Sequence, residues 1–516
     1  MEKKQMALTW TILIGLSVLL YYPQIKTPVQ GRHAWAMADH FAISLNFLEN
    51  SFDFFHPETY CLNPQFAATN APQIKNDAWY SSPKTPQGIT SIDPPMHHYV
   101  VALLMKTFQT KNPIVYRFYM LLLSLIGLFY LFKLSYLVTQ SFWITTAMSI
   151  FVMLAPTFTY YAVGFLPSSA ALAFLFISAF HITRFHFEKQ NKNLYYSLVF
   201  MTLAALTRFP FIIYLIGLLS TYLLIGLLDK KIYWKKMLLL VACLVIVLSY
   251  FMYNKFYLSA YFGSNFLSHP LPVTSLHEFI NAIWKTLYHE SWRYFTLIHY
   301  FCLFFVGFLF LKKRKQQLSF KQKNFLFYYL SIVSIGVFCY SFLMLQQFVA
   351  HDYYILDTFF PILLFWLLAF LKQVDLKHLT NVKKYLVIFT ILAFGLNRLV
   401  FKMGYDARPT TPLEITRTNF IDSHKILDSL QIAKKAKILL IDSYSPNLAF
   451  IGLQRKGFCL MRPTKKRILR AMTWEFDYII TQNFSYKEKV LKNYPTFENE
   501  TEIYFSNDKF TIHRKK

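Results

Sequence analysis

Twelve stretches of predominantly apolar residues punctuate this chain, and no other feature constrains its fold as strongly. They lie at 6–22, 95–110, 116–137, 141–160, 168–184, 195–208, 210–228, 235–256, 296–312, 324–346, 353–371 and 382–402. A helix of about 20 apolar residues spans the hydrocarbon core of a bilayer with every backbone polar group satisfied internally. The chain is therefore expected to be a polytopic α-helical membrane protein with about 11 to 13 transmembrane helices. Composition agrees, since 55% of the residues are hydrophobic and only 15% are charged, far from the soluble average.

A formal net charge of +27 would suit a nucleic-acid partner if it were gathered on one face. It falls instead in short runs between apolar segments, such as "DKKIYWKK" and "KKRKQQLSFKQK". Under the positive-inside rule the loops 184–193, 229–236, 311–323 and 372–384 belong inside the cell. Phe165 to Ser169, 257–295, 347–352 and the C-terminal tail then lie outside. The N-terminus, "MEKKQMALTWTILIGLSVLLYYPQ", has a basic start and apolar centre without a small-x-small cleavage site, and reads as a retained signal anchor with Glu2 to Lys4 inside. An even count of crossings conflicts with an outer tail. Either one segment between 95 and 160 is re-entrant, or a further crossing is hidden from hydropathy. Five cysteines (Cys61, Cys243, Cys302, Cys339, Cys459) show no CxxC spacing and indicate neither a disulfide framework nor a zinc site.

Residues 1–402 are read as the membrane domain, including an outer loop at 23–94, with 403–420 as a linker. From 421 to 516, strand-like runs alternate with amphipathic ones, as in "AKILLIDSYSPNLAFIGLQRKGFCLMRP", and mark a small soluble α/β domain on the extracytoplasmic side. No glycine-rich phosphate loop opens any of its helices.

Three polar clusters can carry chemistry. In "GRHAWAMADHFAISLNFLEN" a helix would place Arg32, Ala36 and Asp39 on one face and Phe41, Leu45 and Leu48 on another, as in an amphipathic helix at the outer interface. On pattern alone Arg32 and Asp39 are its solvated face. The sharper reading makes Asp39 a general base at the membrane surface, with His33 and Trp35 lining the site. In "SIDPPMHHYVVALL", Asp93 and Pro94 suit an N-cap and first helical turn, while Asp93 and His97, four apart and beside His98, can also ligate a divalent cation. In "QQFVAHDYYILDTFFPILLF", His351 and Asp352 sit in a short outer loop, and Asp357 lies about one turn inside the next apolar segment. An ionisable group at that depth is expensive and usually functional. Arg117 and Arg208 lie at or within apolar runs, where they snorkel to the interface or pair with a phosphate.

Taken in order, these segments resemble the bacterial family 39 glycosyltransferases of the GT-C fold, relatives of the lipid A aminoarabinose transferase and the protein O-mannosyltransferases. "HAWAMADHFAI" matches the family's "WRxxD"-like helix, "IDPPMHHY" its acidic residue before a proline-led helix, and "YRFYMLLLSLIG" the arginine opening the next helix. "YYAVGFLPSSAAL" matches "YYxxxFLPxxxAL", and "ALTRFPF" and "HDYYILDTFFPILL" stand where the family has "LTKPP"- and "RYLLPLLP"-like sequence. Two departures stand out: Ser168 replaces an aspartate common after "LP", and Asp352 replaces the arginine of "RYLLP".

The resemblance implies a glycosyltransferase of the bacterial cytoplasmic (inner) membrane that moves a sugar from a polyprenyl-phosphate donor to an extracytoplasmic lipid, glycan or protein acceptor. It implies Asp39 as an inverting general base, Arg32, Arg117 and Arg208 as candidates for the donor phosphate, and Asp93, His97 and His289 as candidate ligands for a divalent metal ion. His33, Trp35, His98, His351, Asp352 and Asp357 would line the site, at the membrane surface where 31–50, 91–98 and 351–357 converge. Two rival classes are a flippase of lipid-linked sugars, which would show internal repeats and paired charges at the midplane, and a GT-C ligase or polymerase with a diphosphate donor. No repeat is visible, and the polar residues crowd one boundary.

Overall fold

A computed structural model describes residues 3–66, 87–266, 270–314, 325–373 and 382–516. The basic loops 311–323 and 372–384 fall mostly outside the described residues. The chain divides into two compact units. The first comprises Met1–Lys26, Arg117–Tyr250 and His269–Tyr405, and the second Thr27–Tyr116, Phe251–Ser268 and Asp406–Lys516.

Among the described residues, seven helices are long and apolar enough to cross a membrane: Ala7–Ile25, Ile114–Thr139, Ser168–Glu188, Phe209–Asp229, Trp234–Phe262, Phe325–Leu343 and Lys383–Gly404. At 1.5 Å per residue the 26-residue helix Ile114–Thr139 is about 39 Å long, enough to span a core of about 30 Å with tilt. Two shorter apolar helices, Phe142–Met153 and Phe359–Gln373, accompany them. Segment 95–110 is corrected: it yields only the 12-residue helix Met96–Thr107, about 18 Å long and part of the second unit.

Three helical runs of the first unit are broken. Leu154 and Ala155 interrupt the run at 141–160 before Pro156 opens a new turn, Pro156–Tyr161. Arg208 adopts an extended conformation between Asn191–Thr207 and the turn Phe209–Phe211, where Pro210 ends regular pairing. Thr358 leaves helical geometry between Tyr354–Asp357 and Phe359–Gln373. Helix Leu276–Tyr294, in the stretch 257–295, is amphipathic. Ser275 caps it by accepting from the Glu278 amide, while Glu278 accepts from the Thr274 amide. Its stripe of Leu276, Ile280, Trp284, Leu287 and Tyr288 is exposed, and its axis lies 99° from Leu297–Leu311.

In the second unit, five strands among the described residues form one sheet: β1 (Ile438–Ile441), β2 (Gly457–Leu460), β3 (Tyr478–Gln482), β4 (Thr501–Ser506) and β5 (Phe510–Lys515), in the order β2-β1-β3-β5-β4. β1 pairs in parallel with β2 and β3, and β5 closes the sheet antiparallel to β3 and β4. Every residue of β1 is buried, as in a parallel strand covered on both faces. Leu439, Ile441, Phe458 and Ile479 pack under Ile468 and Trp474.

The segment 60–63 joins this sheet domain. Leu62 enters its core, and the amides of Gly457 and Leu62 donate to Tyr60 O and Gly457 O at 3.0 and 2.8 Å. Asn63 completes the seam, its Nδ2 donating to Cys459 O and its Oδ1 accepting from Cys459 N. The edge of β2 is thereby covered. Within 403–420, Thr411 caps the helix Pro412–Phe420, which packs on Leu448–Leu453.

Candidate functional site

The helix that carries Asp39 runs from Ala34 to Glu49, with His33 in left-handed geometry at its start (φ 57°). Arg32 therefore precedes the helix instead of sharing a face with Asp39. The expected interfacial amphipathic helix is also corrected, because Met37 through Phe47 are all buried. Asp39, at 1% exposure, is no solvated-face residue.

Asn447 is what Asp39 meets. Its Nδ2 donates to Asp39 Oδ1 at 2.7 Å, and its Oδ1 accepts from the Cys61 amide at 3.0 Å. A backbone N–H can only donate, so the bond from Cys61 fixes which end of the amide faces the carboxylate. Asn447 stands at the start of helix Leu448–Leu453 but does not cap it, and Ser445 Oγ accepts from the Leu448 amide in its place. Burial raises the Asp39 carboxyl well above the usual carboxylate range, and the Asn447 bond offsets part of that rise. Burial, with Cys459 and Asp39 close by, likewise holds the Cys61 thiol well above its ordinary value.

The expected pairing of 31–50 with 91–98 is present. Helix Ala34–Glu49 packs on Met96–Thr107, and His40 Nδ1 lies 2.8 Å from His98 Nε2, with the rings nearly parallel. Burial lowers His97 to about 4 and His98 to about 3, so both imidazoles are neutral at neutral pH. Asp93 and His97 do not share a helix face, because the helix begins only at Met96, and its N-cap is Pro95 without a side-chain bond. His33 and Trp35 are half-buried near the start of the Asp39 helix. His289 belongs to the first unit, exposed on Leu276–Tyr294, where its carbonyl accepts from Arg293 Nη1. Among the described residues no group of three or more His, Cys, Asp or Glu side chains is placed to hold a metal ion.

The first unit holds the other cluster, at the helix breaks. Arg208 Nε and Nη2 both donate to Asp357 Oδ2, at 3.0 and 2.6 Å, and Asp357 is 1% exposed. The guanidinium lies 5.9 Å from the ring centres of Tyr353 and Tyr354. Asp352, fully buried, accepts from Tyr161 Oη at 2.6 Å. Arg117 Nη1 donates to Val163 O at 2.9 Å and its guanidinium stacks 4.7 Å from the Phe165 ring centre, tying the "YYAVGFLP" turn to the start of Ile114–Thr139. His351 stays with its own turn, its Nδ1 donating to Gln347 O at 3.1 Å. Non-helical backbone at membrane depth persists only where it is buried in protein or lines a polar cavity. Two such breaks meet here through an ion pair.

The partners of Asn447, His40 and Tyr161 carry no signal that sequence reasoning could use. Asn447 reads locally as an ordinary N-cap after Pro446, and nothing nearby in the chain signals a partner 408 positions away. His40 lies within 31–50 without a marked spacing to His98. Tyr161 stands in "YYAVGFLPSSAAL", but nothing in that motif points to Asp352, 191 positions away.

Residues 93–254 match the family described as dolichyl-phosphate-mannose-protein mannosyltransferase. No match to a curated protein sequence was found. Among solved structures, ArnT from Cupriavidus metallidurans bound to undecaprenyl phosphate is similar with a TM-score of 0.56 at 11% identity, covering 98% of this chain and 97% of that one. The same ArnT in the apo state gives 0.50 at 10% identity, with 98% of both chains covered. An Archaeoglobus fulgidus oligosaccharyltransferase, in complex with zinc and sulfate, gives 0.53 at 12% identity over 98% of this chain and 73% of that one. At such identities the likeness is one of fold, and the fold is the one the sequence motifs imply.

Proposed function

From a multi-pass membrane chain of the GT-C glycosyltransferase fold, with a mannosyltransferase family match over 93–254, we propose a polyprenyl-phosphate-sugar-dependent glycosyltransferase with Asp39 as its general base. The observation that carries this reading is the state of Asp39: fully buried, its proton affinity raised, and one carboxylate oxygen oriented by a neutral amide in place of a cation. A base so tuned takes a proton near neutral pH more readily than an exposed aspartate does.

In the proposed step an acceptor O–H or N–H gives its proton to Asp39 as the acceptor atom bonds to the anomeric carbon. The bond from that carbon to the phosphate oxygen breaks on the opposite face, and polyprenyl phosphate leaves with the electron pair, inverting the configuration. The leaving group's charge calls for cationic donors. Arg32, Arg117 and Arg208 are the candidates. Arg117 bonds a neutral carbonyl, that of Val163, whereas Arg208 already serves the Asp357 carboxylate through two nitrogens. A divalent ion is not assigned a step, because among the described residues no group of three or more His, Cys, Asp or Glu side chains is placed to hold one. The donor class parallels the undecaprenyl phosphate bound by the similar ArnT. The distribution of basic loops supports an acceptor outside the bacterial cytoplasmic membrane, with the active site and the α/β domain on that face.

The test is sugar transfer from labelled polyprenyl-phosphate sugars to membrane acceptors by reconstituted protein. Transfer by wild type and not by a folded Asp39→Asn variant supports the reading. Equal transfer by both removes Asp39 from the mechanism, and labelled lipid crossing the bilayer without transfer would indicate a flippase.

A further inference from the structure

The first unit contains a cavity of about 700 Å³ at the end of the bundle away from the helix breaks. Leu175, Met201 and Tyr214 line its deep part and are buried, whereas Phe187, Lys372 and Gln373 lie at an end open to the surroundings. Ser168 and Asp357 stand near the starts of two helices, Ser168–Glu188 and Phe359–Gln373, whose far ends supply Phe187 and Lys372. The cavity is thus separate from the Arg208–Asp357 cluster.

Its dimensions and its rim point to one occupant. Phe187 stands twelve positions along the helix from Leu175, or about 18 Å, close to the roughly 15 Å that one leaflet contributes to the hydrocarbon core. The walls are aliphatic and aromatic, with Thr183 and Gln373 among the few polar side chains. Around the open end the segments 184–193 and 229–236, with Lys372, carry eight lysine and arginine residues against two carboxylates. One of those carboxylates, Glu188, is taken by Arg184 at 2.6 Å. Lys189 and Lys372 both flank His186, Lys189 and Lys231 flank Lys236, and Lys372 Nζ sits 5.2 Å from the Phe187 ring centre.

We propose that this cavity is a binding site for an anionic glycerophospholipid, with an acyl chain inside it and the phosphate on the basic rim at Lys372. An apolar slot one leaflet deep suits an acyl chain, and a rim with surplus positive charge selects a phosphate that carries net negative charge over a zwitterionic one. A polyprenyl chain far exceeds the slot, so the donor lipid is not its occupant. The site is independent of the proposed chemistry at Asp39.

Native mass spectrometry of the full-length, delipidated protein titrated with phosphatidylglycerol, phosphatidylcholine or undecaprenyl phosphate tests this. The wild type is expected to retain phosphatidylglycerol about tenfold better than phosphatidylcholine. Lys372→Glu should cut that retention about fivefold or more, as expected for reversing a charge beside a phosphate, and Lys372→Gln less. Ala179→Trp, which fills the slot, should abolish it. Lys372 is exposed, so its variants keep the test decisive if the tryptophan prevents folding. Equal retention of the two phospholipids, retention unchanged in the Lys372 variants or in a folded Ala179→Trp, or displacement of phosphatidylglycerol by undecaprenyl phosphate would each overturn the assignment.

Discussion

Asp39 in the second unit and Asp357 in the first are the same side chain at the same 1% exposure, yet they are stabilised in opposite ways. Asp357 has a guanidinium at 2.6 Å and sits at a helix break. Asp39 has a neutral amide at 2.7 Å and sits in an unbroken helix. A buried carboxylate paired with arginine is committed to that charge partner, and loses much of its value as a proton acceptor. One held by a neutral amide has no cation beside it to offset burial and keeps a raised proton affinity. Burial alone therefore does not tell the two carboxylates apart; the partner does.

The contrast predicts different failures. The largest effect is expected for Asp39→Asn, which should cost roughly 10²- to 10⁴-fold in transfer rate, with the thermal midpoint preserved because an amide can occupy the same site. Arg208→Ala should act the other way round, lowering stability by about 3–5 kcal/mol by leaving Asp357 buried and unpaired. Much of that loss should return in the double variant with Asp357→Asn, as thermal unfolding in detergent would report. If Arg208→Ala left stability unchanged, the two carboxylates would differ less than their partners suggest.

Asn447→Ala sharpens the Asp39 side of the comparison. The amide bond is the contact that lowers the Asp39 pKa against burial, so its loss raises the pKa further. The acidic limb of the pH–rate profile should then move to higher pH, with a loss of about tenfold at pH 7 that shrinks under more alkaline conditions. A uniform loss at every pH would indicate a structural role only. The smallest effect is expected for Tyr161→Phe. It removes the 2.6 Å bond to Asp352 and should cost about 1.5 kcal/mol of stability, read from the same melts.

Much of the membrane architecture was legible because hydropathy is a local property. The runs at 116–137, 168–184 and 210–228 became the helices Ile114–Thr139, Ser168–Glu188 and Phe209–Asp229. Segment 95–110 misled because its apolar residues serve a short helix packed against Ala34–Glu49, and an 11- to 18-residue window cannot tell protein burial from lipid burial. The Asp39 helix misled for the same reason, since its polar-looking face is covered by protein groups.

By itself the sequence determined the membrane class, the order of the helices and the α/β character of residues 421–516, and it singled out Asp39, Arg208 and Asp357 as candidates. Each rests on periodicity, on charge placement or on a motif within a few tens of residues. Only the tertiary structure decided which carboxylate meets which partner. Asn447 and Asp39 are 408 positions apart, and Arg208 and Asp357 are 149 apart. Such pairings arise because burial forces each polar group to find whatever complementary group the packed fold brings within bonding distance, and no local pattern encodes that.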